Sequence, residues 1–467
     1  MHATRSNWTR FGAVGATVGL LLAACGGGGG SGGAGSGAGA SQLPPCPLSA
    51  LPSSGAPVEI TMWESMSQAN GDALNYLTSQ FNSSQSQVHV TLVNQTSYDD
   101  TFAKFTAGLA NGQLPDIAQM EDVDLQQVID SRAALPVQSC INAASYSLSD
   151  FVPRTTAYWT VKGVQWALPF SVSNPVFIYN QQAFSKAGLD PNKPPATLAD
   201  LQSDAASLKK AGFAMGLKLD PWHLEQWSAL AGVLYANNDN GRSSRASKVL
   251  FDNPTGTQIF TVLSQMVHDG EAVTNPTSGP SQFDNLLGIG QGKYAMSIDT
   301  SAVLGTVYQV LPQYKNVTLG VAPMPGRSDD GGVLVGGSAL YILSRTSAKQ
   351  AAAWKFMTYL DQPDNQAYWA AHTGYVPVRE SASSQPVLQQ AWAAEPGLKV
   401  AYDQLLAGGS GPAAAGPVLG AYNDVRSAVL SAEQSMYLNN VDPAAALRNA
   451  ANAADQALTT YNQRIGG

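Results

Sequence analysis

Charge is scarce in this chain. Only 12% of its 467 residues are Asp, Glu, Lys or Arg, and Ser, Thr, Gln and Asn fill much of the surface instead. Basic residues are the scarcer sign, 25 against 33 acidic ones. That balance argues against nucleic acid or an anionic lipid surface as the main partner. Histidine is rare too. His89, His223, His268 and His372 lie beyond the leader, none is paired at helical ligand spacing, and no metal is expected. Past the leader, no stretch is apolar for long enough to span a bilayer. Catalytic signatures are equally thin. Gly29 to Gly33 match a nucleophile elbow by letters alone, inside a Gly/Ser tract rather than between strand and helix. "GIGQGK", Gly288 to Lys293, lacks the Gly-Lys-Ser/Thr ending of a phosphate loop. No carboxylate pair stands out as a glycosidase would require. No enzyme and no cofactor are expected, with a surface glycan-active enzyme as the alternative.

The leader is what the chain has in place of a membrane span. Arg5 and Arg10 precede an apolar run from Phe11 to Ala24, too short for a comfortable crossing. "LAAC" then resembles the lipobox of bacterial lipoproteins, which makes Cys25 the expected lipidated residue; an ordinary signal with a chance Cys is the alternative. Gly26 to Ala40 have the composition of a flexible tether. The expected division is a signal peptide over 1–24, then lipidated Cys and tether over 25–56, holding the protein at the outer face of the cytoplasmic membrane. Arg5 and Arg10 are the leader's only charges, so the mature chain keeps 23 basic residues against 33 acidic ones. Export to an oxidising compartment permits a bond between Cys46 and Cys140; two free thiols are the other possibility.

The remaining body is too long for one small domain, and two lobes are expected. "VEITMWES" alternates at Val58, Ile60 and Met62 and reads as a strand ending at Trp63. "NGDALNYLTSQFN" places Leu74, Leu77 and Phe81 on one helical face. "VHVTLV" alternates again, "YDDTFAKFTAGLANG" is helical with Gly112 at its end, and "LPDIAQM" is a third strand. Strands alternating with helices require right-handed crossovers and a mostly parallel sheet. In such sheets ligands bind beyond the carboxyl ends of the strands. Trp63, Glu64 and Ser65 stand there, with Tyr98 and Asp99, then Glu121 and Asp122. Core packing is the competing role for each aromatic, and helix initiation for Asp99. Further along, Thr197 is an expected helix cap, and Gly374 closes "DNQAYWAAHTG".

Taken in order, "TMWESM", "LPDIAQMED", "ALPFSVSNPVFIYNQQAFSKAGLDP", "QGKYAMSIDTSAVL", "LVGGSALYIL" and "AAAWKFMTYLDQPDNQAYWAAHTGYVPVRES" resemble the carbohydrate-type extracellular solute-binding proteins of ABC uptake systems, in particular their glycerol-3-phosphate-binding group. The resemblance runs from about Val58 to Ser381. It implies an α/β fold of two lobes, like the periplasmic binding proteins, closing around a solute by hinge motion. Residues 57–168 and 323–374 would form one lobe, and 169–322 and 375–467 the other. Crossings are expected near Leu168–Phe170, Val321–Pro323 and Tyr375–Pro377. The implied ligand is a carbohydrate, polyol or glycerophosphodiester, delivered by a monomeric binder to a membrane permease. The resemblance carries ligand contacts onto Tyr98, Glu121, Ser173, Trp222, Ser301, Gly337 and Tyr375; Trp63 and Ser65 join them from the strand-end argument. One departure stands out. Phosphate-binding relatives place an Arg in a Gly-rich stretch after the Tyr375 motif, whereas "GPAAAGPVLGAYNDVR" has Pro417 or Val418 there. Arg suits bidentate phosphate recognition. Its absence favours a neutral carbohydrate or polyol, unless Arg426 substitutes.

Overall fold

The computed structural model describes residues 43–277, 283–315 and 317–466. The expected leader, Cys25 and the Gly29–Gly33 match lie outside the described residues. The folded body begins earlier than residue 57. Cys46 is buried, Leu48 packs against the core, and Cys46 is bonded to Cys140 with their Cα atoms 4.9 Å apart. Residues 43–56 are therefore part of the body rather than tether.

Twelve strands appear in chain order among the described residues: β1 Val58–Glu64, β2 Val88–Asn94, β3 Ile117–Glu121, β4 Thr160–Val161, β5 Val164–Gln165, β6 Leu168–Ser173, β7 Pro175–Asn180, β8 Ala214–Lys218, β9 Ala272–Asn275, β10 Tyr294–Thr300, β11 Leu319–Pro323 and β12 Gly336–Ile342. β4 and β5 form a small ribbon, and the rest build two five-stranded sheets. The first runs β2-β1-β3-β12-β6 and the second β11-β7-β10-β8-β9.

The alternation in β1 works as its residues dictate. Ile60 and Met62 are buried, and the helix Gln68–Ser84 buries Leu74, Leu77 and Phe81. Ser97 caps the helix Tyr98–Asn111 by accepting from the Asp100 amide, and Gly112 ends it in the left-handed region. Thr197 and Asp200 form a capping box. Pairing in the sheets is mixed, not mostly parallel. β1 is parallel to β2 and β3, but β12 is antiparallel to both β3 and β6. In the second sheet β10 and β9 run parallel to β8, while β7 is antiparallel to β10 and β11. The antiparallel strands enter where the chain changes sheets, a step that local alternation does not record.

The first passage between sheets is a single residue. β6 ends at Ser173, β7 begins at Pro175, and Asn174 joins them. It is fully buried, donates from Nδ2 to the Ala401 carbonyl at 2.8 Å and accepts from the Ser301 amide at 2.9 Å. β6, which a boundary at residue 168 would give to the second lobe, completes the first sheet. The return passage follows Pro323, between β11 and β12. The Tyr375–Pro377 stretch does not leave the first sheet: the Val376 amide donates to Val172 of β6 at 2.7 Å. Gly374 makes this path possible. Its φ is +86°, and an added Cβ would fall 2.4 Å from the Ser301 carbonyl oxygen.

Candidate functional site

The register brings one edge of each sheet together. Glu121 ends β3 opposite Ser338 of β12, and Gly336 lies opposite Ser173 at the end of β6. In the second sheet Lys218 ends β8, and Thr300 ends the parallel β10 opposite Pro175. The carboxyl ends of the parallel strands thus meet across the Asn174 passage, where α/β sheets place their ligands. Between them lies a cavity of about 190 Å³, below the ~300–1,000 Å³ common for drug-sized ligands.

Six of the nine expected contacts line it: Tyr98, Glu121, Ser173, Trp222, Gly337 and Tyr375. Tyr98 opens its helix and is aimed by the Ser97 cap. Its hydroxyl donates to Ser338 Oγ at 3.1 Å and lies 3.3 Å from the Tyr375 hydroxyl. The Tyr375 ring stacks on Trp369 at 5.3 Å between centroids, and Trp369 stacks on Phe170. Burial raises both phenols, Tyr98 well above its ordinary value and Tyr375 to about 12. Both stay neutral and able to donate. Trp222 begins the helix Trp222–Leu230 from the other side. Its indole lies so close to Gly336 that a Cβ there would stand 2.8 Å from the ring.

Three expected contacts fall elsewhere. Trp63 alternates with the inward-facing Met62 and Glu64 in β1, and is absent from the cavity lining. Ser65 holds the turn beneath Tyr98 instead: its hydroxyl donates to the Ser97 carbonyl at 2.8 Å, and its amide to Gln119 Oε1 at 3.2 Å. Ser301 is fully buried and anchors the passage through Asn174; the wall at that point is Thr300 and Ala302.

Beyond Glu121, the charged lining was not among the nine expected contacts, although Asp122 stood at a strand end and Arg426 as a possible phosphate ligand. Asp122, Lys218, Asp220, His223, Asp299 and Arg426 all border the cavity. Lys218 Nζ lies 3.0 and 2.9 Å from the two Asp299 oxygens, and Asn285 donates to Asp299 Oδ2 at 2.8 Å. Burial would lower the Lys218 ammonium, but Asp299 and Asp220 together outweigh it and hold the group above its ordinary value. Arg426, on the helix Tyr422–Asn439, donates from Nε and Nη2 to the two Glu225 oxygens at 2.8 and 2.9 Å. Its Nη1 donates to Glu121 Oε1 at 3.2 Å. Burial disfavours this charge too, and the carboxylates around it reverse that and hold the guanidinium charged. Burial raises the Glu121 and Asp122 carboxyls, with Arg426 offsetting part of the rise. Asp122 also accepts from the Tyr158 hydroxyl at 3.2 Å. Asp299 could have been found by applying the strand-end rule to "GKYAMSIDT". The partners of Arg426 could not, since 201 and 305 residues separate it from Glu225 and Glu121.

No group of His, Cys, Asp and Glu suited to a metal ion occurs among the described residues. What the cleft offers is hydroxyl and carboxylate partners beside three aromatic rings, enclosed between two lobes. Those features define a two-lobed solute-binding protein. The chain belongs to the bacterial extracellular solute-binding protein family, whose pattern matches residues 77–396. It is 29% identical over 441 residues to the sn-glycerol-3-phosphate-binding periplasmic protein UgpB of Pectobacterium atrosepticum, covering 90% of this chain and 96% of that one. Among solved structures it is similar to the cyclic alpha-maltosyl-1,6-maltose binding protein of Arthrobacter globiformis, with a TM-score of 0.70 at 23% identity over 87% of this chain and all of that one. It is also similar to UgpB of Mycobacterium tuberculosis in complex with glycerophosphocholine, with a TM-score of 0.73 at 20% identity over 88% and 100% of the two chains. At these identities the two structures speak to the fold.

Proposed function

We propose that this protein captures a neutral polyhydroxylated solute, a carbohydrate or polyol, in the cleft between its sheets. It delivers that solute to the permease of an ABC importer, acting as a monomer tethered to the outer face of the cytoplasmic membrane through Cys25. The observation that carries the choice of ligand is the state of the two cations. Arg426 and Lys218 are each engaged by a buried carboxylate, and four carboxylates line the cavity against those two positive groups. With both cations already paired, the lining holds no free positive group for a phosphate dianion. It suits hydroxyl donors, which the carboxylates accept, and sugar C–H faces, which pack on Tyr98, Trp222 and Tyr375.

A second reading follows from the acidic excess. Carboxylates beside aromatic faces also suit a quaternary ammonium group, and the Mycobacterium tuberculosis relative is a complex with glycerophosphocholine. A thermal-shift panel separates the readings. Maltose, trehalose, glycerol, glycerophosphocholine and glycerol 3-phosphate are each added to the purified protein. A stabilising shift with a neutral compound supports the first reading, and one with glycerophosphocholine alone supports the second. A shift with glycerol 3-phosphate, lost in Arg426→Ala, overturns both.

A further inference from the structure

Arg426 is the group in this cleft best suited to hold an anion. A guanidinium clasps phosphate through two parallel N–H donors, a geometry that one carboxylate can also fill. Here Nε and Nη2 both point to Glu225, at 2.8 and 2.9 Å. Glu225 is only 1% exposed and sits in the first turn of the helix Trp222–Leu230. It stands behind the cavity wall rather than in it: Arg426 borders the cavity, and Glu225 does not. The remaining nitrogen, Nη1, donates to Glu121 of the first sheet at 3.2 Å. One positive charge is thus flanked by two negative ones before any solute enters.

We propose that Glu225 determines specificity by closing this cleft to phosphate monoesters: it permanently occupies the bidentate face of Arg426 that a phosphate would need. The inference rests on the reading of this cleft as the solute site. A buried ion pair gains little stability over apolar residues of similar size, so stability alone gives weak reason for charging this position. Holding Arg426 occupied gives a chemical reason. The arrangement also keeps a donor for Glu121, whose carboxylate is then fixed at the sheet edge. A neutral solute can use that oxygen, whereas a phosphate must compete with it.

The test is calorimetric titration of the mature protein and of Glu225→Gln, which keeps size and shape but removes the charge. The probes are glycerol 3-phosphate, inorganic phosphate and the neutral solutes of the panel, at low salt. The expected result is at least a tenfold gain in glycerol 3-phosphate affinity over the unmodified protein, abolished in Glu225→Gln/Arg426→Met. Glu121→Gln strips only the cleft-side carboxylate and guards against a Glu225 variant that fails to fold; its expected gain is smaller, about threefold. Unchanged phosphate affinity in every variant that folds would overturn the proposal, as would tight phosphate binding by the unmodified protein. Neutral binding by the unmodified protein without any gain in the variants would leave the function standing and remove the role of Glu225. A phosphate gain in Glu225→Gln with no panel solute bound by the unmodified protein would do the reverse.

Discussion

Arg426 and Glu121 meet across the cleft at 3.2 Å, with 305 residues of chain between them. The contact joins the helix Tyr422–Asn439 to the carboxyl end of β3. Because Arg426 also neutralises the buried Glu225, its removal strands a charge in the interior. Arg426→Ala is expected to cost about 3–5 kcal/mol of stability in urea denaturation. Replacing Arg426 and Glu225 together by methionine should recover most of that loss, since the buried Glu225 charge leaves with its partner and Glu121, which also loses Arg426, is part-exposed at the cleft. Equal losses in the single and double variants would show that the pair is not what matters.

Tyr98 and Tyr375 share a hydroxyl contact at 3.3 Å, and Tyr98 has a second partner in Ser338. Tyr98→Phe and Tyr375→Phe each remove one hydroxyl while keeping the ring. Their effects on stability should be non-additive by about 0.5–1 kcal/mol in a double-mutant cycle. Strict additivity would mean that the two hydroxyls do not interact in solution.

The bond between Cys46 and Cys140 ties residues 94 apart in sequence. It pins the start of the folded body to the helix Val137–Ala144. Serine at both positions is expected to destabilise the protein by about 2–5 kcal/mol, with no shift in solute preference. A denaturation midpoint that is the same with and without reductant would show the bond to be absent.

His223 gives a pH signature of known sign. Burial lowers its imidazole below the ordinary value of 6.5, partly opposed by Asp220. The unfolded chain therefore takes up this proton first as pH falls, and the contribution of His223 to stability is lost progressively below that value. Melting temperatures of the unmodified protein and His223→Gln, compared from about pH 7.5 down to about 5.5, should draw together. A gap that stays constant would mean the imidazole titrates normally in the folded state.

Gly336 is where Trp222 reaches the first sheet. An added methyl would stand 2.8 Å from the indole, tighter than packed atoms accept without moving. Gly336→Ala should therefore weaken solute binding several-fold in calorimetry. If Trp222 packs on the solute independently of the first sheet, affinity will not change.

The first lobe was the more readable half. Its opening strands and helices carry local alternation and helical periodicity, and Ser97, Gly112, Thr197 and Gly374 punctuate the chain as their chemistry requires. β6 is buried at every position, so it shows no alternation to read. β8 is short and has only Ala214 partly exposed. The antiparallel strands answer to the exchange of chain between sheets. The site divides in the same way. Tyr98, Glu121 and Tyr375 follow recognisable strand ends or motifs, as Lys218 and Asp299 do at the ends of β8 and β10, while Glu225 and Arg426 acquire their roles only through partners distant in sequence. Trp63 and Ser65 stand off the cavity for a different reason. The strand-end rule locates the right edge but not the side of the strand, and alternation turns Trp63 to the face opposite Met62.

Solute is proposed to bind between Tyr98, Glu121, Trp222 and Tyr375. Calorimetric titration of Tyr375→Ala with the panel compound that stabilises the unmodified protein most tests it most directly. The ring is held on Trp369 from behind and borders the cavity in front, so its loss removes one wall of the cleft. At least a tenfold loss of affinity, about 1.4 kcal/mol or more, is expected in a protein that still folds. Undiminished affinity would contradict it and return Tyr375 to core packing.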